Sequence, residues 1–404
     1  MRPKLIRSLK LTNFLSFGPE AEAVELRRLN VLIGPNGSGK SNFLEGFALL
    51  RAAPLMLTKP IRDGGGVDDW LWKPMAAQSG TESARLEAVV EYSGGVDALK
   101  YSLEFSAVSS RFYLEDECID GTAVFPSPGA AFAAIQERSD PDGMVGTDGR
   151  VLTFYRLKDA AQRRVGPQEE NFDLDQSILS QRRGGVYPEI TFLAREFFGI
   201  RMYRDWVFGR NARPRLAQRA DAAADFLEPD SSNLGLILDG FDPSTKRRVV
   251  AGLRPLYAGI ENVETKIYGG QVRVVLVEGD REIPATRLSD GTLRYLSLLA
   301  VLCHPNPPSL LVIEEPELGL HPDVLPTLAT LLREASERTQ LVVTTHSTML
   351  VDALSDIPDA VLVCERDDEG THIQRLDPND LAPWLEKYSL GDLWARGDIG
   401  GNRW

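Results

Sequence analysis

Residues 34–41 read Gly-Pro-Asn-Gly-Ser-Gly-Lys-Ser, which fits G-x-x-x-x-G-K-[ST] at every fixed position. The apolar run Leu29, Val31, Leu32, Ile33 ahead of it reads as a buried strand. Behind it, Phe43, Leu44, Phe47, Leu49 and Leu50 recur at helical spacing. Strand, glycine-rich loop and helix in that order make a phosphate cradle. Gly34, Gly37 and Gly39 let the loop through Pro35, Asn36 and Ser38 curl, so that backbone N–H groups face an anion at the positive end of the helix dipole. Lys40 is expected to reach the β- and γ-phosphates and the Ser41 hydroxyl to bind Mg²⁺. An ordinary glycine-rich turn has no reason to carry Lys and Ser in this register, so the octet marks an ATP or GTP site.

The 404 residues allow two or three structural units. Apolar residues make up 43% and charged residues 25%, as in soluble globular chains. No apolar run nears the roughly 18 residues of a membrane helix, and Met-Arg-Pro-Lys leads straight into strand-like sequence, so a cytoplasmic protein is expected. Cys118, Cys303 and Cys364 are far apart and lack metal-ligand spacing, which makes them core residues rather than a disulfide or zinc framework. The net charge of −13 argues against indiscriminate coating of nucleic acid. Against that average, Arg182, 183, 195, 201, 204, 210, 213, 215 and 219 face only Glu189, Glu196 and Asp205, a local excess of six positive charges.

Alternation over residues 4–17, then Val24–Leu26 and Leu29–Ile33, gives a β-rich entry to the loop. After the break Asp63-Gly-Gly-Gly66, with Trp70 and Trp72 packing locally, three strand-like runs follow at Leu86–Tyr92, Leu99–Phe105 and Arg111–Ile119. The turn Ser93-Gly-Gly95 lies between the first two, which suggests an antiparallel meander. Pro126–Gly149 reads as a mobile loop and Val151–Leu157 as another strand. From Asp175 to Tyr257 the period is helical, without sustained heptads, and a separate helical lobe is expected there. Strands Val263–Tyr268, Val272–Val277 and Glu282–Ile283 precede an alternation of helices and strands from Leu293 to Cys364, which is α/β sequence of the doubly wound kind. The last residues, through Trp394 and Trp404, read as a tail docked by its tryptophans. The expected division is therefore 1–60 with 265–404, a β-rich extension at 61–174, and the helical lobe at 175–264.

Leu310–Ile313 lead into Glu314-Glu315-Pro316-Glu317. A buried strand ending in paired carboxylates is the second half of an NTPase site, with Glu314 assigned to the metal and Glu315 to the attacking water. Leu288-Ser-Asp-Gly-Thr292 opens an apolar helix, where Ser289 is either a plain cap or part of an anion site. His346, after strand Leu341–Thr345, is placed to bond a γ-phosphate, while His304, His321 and His372 fit turns and a hairpin at the surface.

This order of motifs resembles the ABC-type ATPases of the SMC/RecF group, most closely the single-chain prokaryotic "predicted AAA ATPases" that share Glu-Glu-Pro-Glu…Leu-His-Pro. The resemblance covers roughly residues 1–60 and 265–370 and implies a P-loop head with a mixed sheet core, an antiparallel β-subdomain and a helical lobe. It further implies ATP and Mg²⁺ as cofactors and an ATP-dependent head-to-tail homodimer. In that dimer Ser289, Asp290 and Gly291 act in trans on the partner's nucleotide, and Glu317, Leu318 and Gly319 form the D-loop. His346 would be the switch histidine, Gln176 the glutamine that senses Mg²⁺, and Asn13 with Phe14 would border the adenine. Three departures stand out: Glu314 replaces the usual Asp, Asp290 replaces a common Gly, and coiled-coil arms are missing.

The leading expectation is an ATP-hydrolysing head acting in DNA repair, maintenance or defence against foreign DNA, with segment 182–219 as the DNA contact. That segment serves equally as a solvated face or as arginines paired with acids. The alternative, of a different class, is an ATP-gated regulatory subunit controlling a separate effector such as a nuclease. A transporter subunit is disfavoured by nearly 250 residues between loop and signature.

Overall fold

A computed structural model describes residues 5–74, 81–92, 98–122, 173, 175–181, 187–207 and 209–401, with short strands at 144–145, 151–152, 157–158 and 164–165. At its centre six strands lie in the order Arg201–Tyr203, Leu310–Glu314, Gln340–Thr344, Leu29–Ile33, Val361–Asp367, Gly370–Arg375. The first five run parallel and Gly370–Arg375 closes one edge antiparallel. The runs Leu-Asn-Val-Leu-Ile and Gln-Leu-Val-Val-Thr are buried throughout, the pattern of parallel strands covered on both faces.

The period of two divides the strand residues between two cores. Leu32, Leu310, Val312 and Val342 point into one, which is filled by the helix Lys40–Ala52 and a five-stranded antiparallel sheet. Val31, Ile33, Leu311, Ile313, Leu341 and Val343 point into the other, under the helices Asp290–Leu302 and Leu325–Ser336. The antiparallel sheet runs Val24–Glu25, Ile6–Thr12, Ser83–Glu91, Ala98–Val108, Arg111–Thr122, and so gathers the β-rich entry and the meander into one layer.

The stretch 175–264, expected as a helical lobe, does form helices, and they are shared between the two cores. Its helix Pro188–Phe198 packs into the first core, Leu234–Asp239 and Pro243–Leu253 pack into the second, and Arg201–Tyr203 becomes a strand of the central sheet. Three residues are too few for an alternation to show in sequence, so the period of the flanking helices dominated the reading. The longest helices among the described residues, Lys40–Ala52 and Asp290–Leu302, have 13 residues each, and none is long and apolar enough to cross a membrane.

All three cysteines are buried and free, in keeping with core roles. Trp394 is buried in the helix Leu390–Arg396 and its indole N–H donates to Gly401 O at 3.1 Å. His304 departs from the surface role expected of it: it is buried edge-on to Phe226 and Phe241, and burial lowers its pKa. The turn Ser93-Gly-Gly95, most of Pro126–Gly149, Arg182, Arg183 and Trp404 lie outside the described residues. Of the strand expected at Val151–Leu157, the described residues show Val151–Leu152 and, from Leu157, Leu157–Lys158.

Candidate active site

The loop 34–41 joins the buried strand Leu29–Ile33 to its helix through three left-handed glycines, Gly34 (φ 148°), Gly37 (φ 81°) and Gly39 (φ 101°). Gly39 also has no room for a side chain, since a Cβ there would lie 2.2 Å from Thr371 Oγ1. Lys40 is buried and its ammonium donates to the carbonyls of Gly34 (2.8 Å) and Pro35 (2.9 Å). Burial lowers its pKa, although the carboxylates of Glu314, Glu315 and Glu317 act in the opposite direction. The Ser38 hydroxyl, in the same loop, is buried with no hydrogen-bond partner.

Two strands away, Glu314 ends Leu310–Glu314 and accepts from Ser41 Oγ at 2.5 Å. The residue after it, Glu315, has φ 45°, a left-handed conformation that costs a non-glycine residue about 1–3 kcal/mol. Three hydrogen bonds hold it there. Its N–H donates to Thr344 O (3.1 Å) and Thr344 Oγ1 (3.2 Å), and its carbonyl accepts from Arg294 at 2.5 Å. The turn carries its carboxylate to 3.3 Å from His346 Nε2. Burial and Lys40 lower the His346 pKa against the pull of Glu315 and Glu317, so its neutral form prevails at pH 7. Glu317 braces the histidine loop, accepting from Thr345 Oγ1 (2.7 Å) and the His346 N–H (2.8 Å).

Ser289 caps the helix Asp290–Leu302, accepting from the Thr292 N–H at 3.0 Å, while Asp290 is held by Arg215 (2.5 Å) and by the Gly209 N–H (3.1 Å). Gly291 packs on the D-loop candidate, because a Cβ there would come 2.6 Å from Gly319 O. Ser289, Leu318 and Gly319 face outward.

Two expected residues are placed elsewhere. Phe14 is fully buried, edge-on to Trp70 (5.3 Å) and Phe105 (6.2 Å), so its ring packs a core and cannot border a base. Its neighbour Asn13 has φ 54° and takes part in backbone bonds to Gly18 and Trp72. Phe14→Ala should therefore cost about 3–5 kcal/mol in a denaturant melt and leave ATP affinity unchanged; weaker ATP binding at full stability would return the ring to the nucleotide. Gln176 sits beside the short helix Ile178–Gln181, bonded to Ser180 and Gln181. The side chain that reaches the Ser41–Glu314 pair is instead Arg204, donating to Glu314 (2.8 Å) and Glu45 (2.7 Å). Its sequence signal is the short apolar run before it, inside a stretch where the helical period and the charge excess stand out instead. Of the seven described arginines in that stretch, five (Arg195, Arg204, Arg213, Arg215, Arg219) pair with carboxylates; Arg204 and Arg215 do so largely buried, whereas Arg195, Arg213 and Arg219 remain exposed.

A family model described as "AAA domain, putative AbiEii toxin, Type IV TA system" matches residues 29–143 and 169–352, a span that runs from the loop strand past His346. The chain belongs to this AAA family. It is accordingly a nucleotide-binding P-loop ATPase. Among solved structures it is similar to the SmcHead bound to the C-winged helix domain of ScpA, with a TM-score of 0.57 and 13% identity over 93% of this chain and 99% of that one. It is also similar to the Pyrococcus furiosus Smc head domain with an extended coiled coil, bound to the C-terminal domain of ScpA, with a TM-score of 0.58 and 13% identity over 95% and 99%. At that identity the likeness is one of fold, and it places this AAA-family chain on the SMC-head architecture. No curated protein matches the sequence.

Proposed function

We propose that two copies of this ATPase close head to tail on ATP, hydrolyse it at paired sites, and use the cycle in defence against foreign DNA or in DNA repair and maintenance. One observation carries the reading: Ser41 and Glu314 meet at 2.5 Å beneath the glycine loop, with Glu315 and His346 just beyond, while Ser289 and the 318–319 turn remain outward-facing. The family description, which names a putative abortive-infection toxin, favours defence over repair.

The residues suit Mg²⁺. Ser41 and Glu314 supply hard oxygen donors, and the described residues contain no cluster of three or more His, Cys, Asp or Glu to hold a metal without nucleotide. That fits an ion that takes most of its ligands from phosphates and water. When bound it neutralises charge on the β- and γ-phosphate oxygens. Lys40 would leave its two carbonyls for those phosphates, and Ser38 would donate its unsatisfied hydroxyl. Glu315 would hold the attacking water against His346, whose neutral imidazole donates or accepts without adding charge. Ser289 and the N-terminus of its helix would meet the γ-phosphate bound by the other copy.

The mass of Glu315→Gln in solution, with and without MgATP and then with duplex DNA, tests this. A monomer that becomes a dimer with MgATP and then retains DNA supports the reading; a persistent monomer defeats it. A dimer that ignores DNA would favour the second reading, an ATP-gated subunit acting on a separate effector protein. The pairing of five of the arginines with acids is the observation on that side.

A further inference from the structure

Arg204 has a place that the ATPase reading does not use. It directly follows the strand Arg201–Tyr203, which runs parallel to the carboxylate strand with Tyr203 opposite Ile313, so its side chain leaves the sheet beside Glu314. Its guanidinium fork spans two acids: Nε donates to Glu314 Oε2 at 2.8 Å, and a terminal nitrogen donates to Glu45 Oε1 at 2.7 Å. Glu45 lies four residues beyond Ser41 on the same helix and thus on the same face, one turn further in. Glu314 uses its other oxygen to accept from Ser41. Both oxygens of the carboxylate assigned to the metal are therefore engaged, one by a hydroxyl and one by a cation. All three charged side chains are three-quarters or more buried, so this pair is screened less than a surface ion pair. Burial alone would lower the Arg204 pKa, but Glu45 and Glu314 outweigh it and raise it, so the guanidinium stays charged at any working pH.

We propose that Arg204 is a resident cation on the metal carboxylate and must yield Glu314 Oε2 before a divalent ion can take that oxygen. This inference rests on the assignment of Glu314 under the proposed function. Glu45 is what makes the exchange workable. When a divalent ion takes Glu314, the guanidinium keeps its bond to Glu45 and need only turn about it, so no buried charge is left without a partner. A site guarded this way resists free divalent ions, which must displace a charge-assisted hydrogen bond alone. It accepts an ion arriving with a triphosphate, because the phosphate oxygens supply further ligands that offset the lost hydrogen bond. Arg204 is thus a positioning residue that makes metal binding conditional on nucleotide.

The test is metal affinity rather than turnover. In the full-length Glu315→Gln protein, with ATP kept below the protein concentration so that little is free to bind the ion, Mn²⁺ is titrated and the free ion followed by electron paramagnetic resonance. Adding Arg204→Gln should tighten Mn²⁺ binding about tenfold, the worth of one charge-assisted hydrogen bond no longer displaced. It should also produce measurable Mn²⁺ binding without ATP. Arg204→Lys, which keeps the charge but loses the fork, should fall between the two and stands in if the Gln variant does not fold. Unchanged or weaker Mn²⁺ binding in both variants would overturn the proposal. Glu314→Gln separates the two levels of the argument: it should abolish the Mn²⁺ site, and if it does not, the assignment of Glu314 fails and the role of Arg204 with it. If Glu314→Gln abolishes the site while the Arg204 variants change nothing, the ATPase reading stands and only the guard is lost.

Discussion

Glu315→Gln should lower the turnover of ATP by about 10²–10⁴-fold, equivalent to about 3–5 kcal/mol of barrier, while leaving ATP affinity within a few-fold of the parent. The substitution keeps the size of the side chain and touches none of the three backbone hydrogen bonds that hold residue 315 in its left-handed turn. What it removes is the only charge of that side chain, at the point where it faces His346. A neutral amide still positions a water but cannot take its proton, so the loss should appear in kcat rather than KM. Phosphate release at saturating ATP, paired with equilibrium binding of a fluorescent nucleotide, separates the two. Turnover within about fivefold of the parent would show that another group accepts the proton, and His346, neutral at pH 7 and 3.3 Å away, would be the residue to change next.

How much of this site could be read from sequence depended on how local its parts are. The glycine loop, the carboxylate pair and His346 each follow a strand with three or four apolar residues, so one short window contains both the motif and the element that aims it. The family match then confirmed the kind of enzyme. Arg204 escaped because its partners, Glu45 and Glu314, are 159 and 110 residues away and the apolar run before it is too short to set it apart from the arginines around it. Phe14 departs from the expected adenine contact for a related reason. An aromatic at the end of a strand looks the same whether it faces a base or a core, and only the later chain, bringing Trp70 and Phe105 to it, decides. The helical stretch 175–264 showed its helices correctly through their period. Which face of the sheet each would cover depends on long-range burial, and the three-residue strand among them was below the resolution of any periodicity.

The second large effect should come from Gly291→Ala, which adds one methyl group outside the glycine loop. The new Cβ would meet the Gly319 carbonyl at 2.6 Å, and because that contact is to backbone, no side-chain rotation relieves it. Either the first turn of the helix Asp290–Leu302 or the Leu318–Gly319 turn must move. The helix start is fixed by the Ser289 cap and by Arg215 and the Gly209 N–H on Asp290, whereas Gly319 sits at φ 74° in an exposed turn, so the turn gives way. Overpacking of this kind costs about 1–3 kcal/mol of stability, which the fold should survive. The functional cost should be larger, because in the proposed dimer Ser289 and residues 317–319 must meet the other copy together. ATP binding by the monomer should be unchanged, since the glycine loop is untouched, while MgATP-driven dimerisation is lost and turnover falls about 100-fold, as when one oriented donor is lost from an anion site. The same substitution in the Glu315→Gln background isolates assembly from chemistry: light scattering should report a monomer with MgATP where Glu315→Gln alone reports a dimer. A dimer of normal affinity would mean that the signature and the 318–319 turn act within one chain, and that the nucleotide is enclosed without help from a second copy.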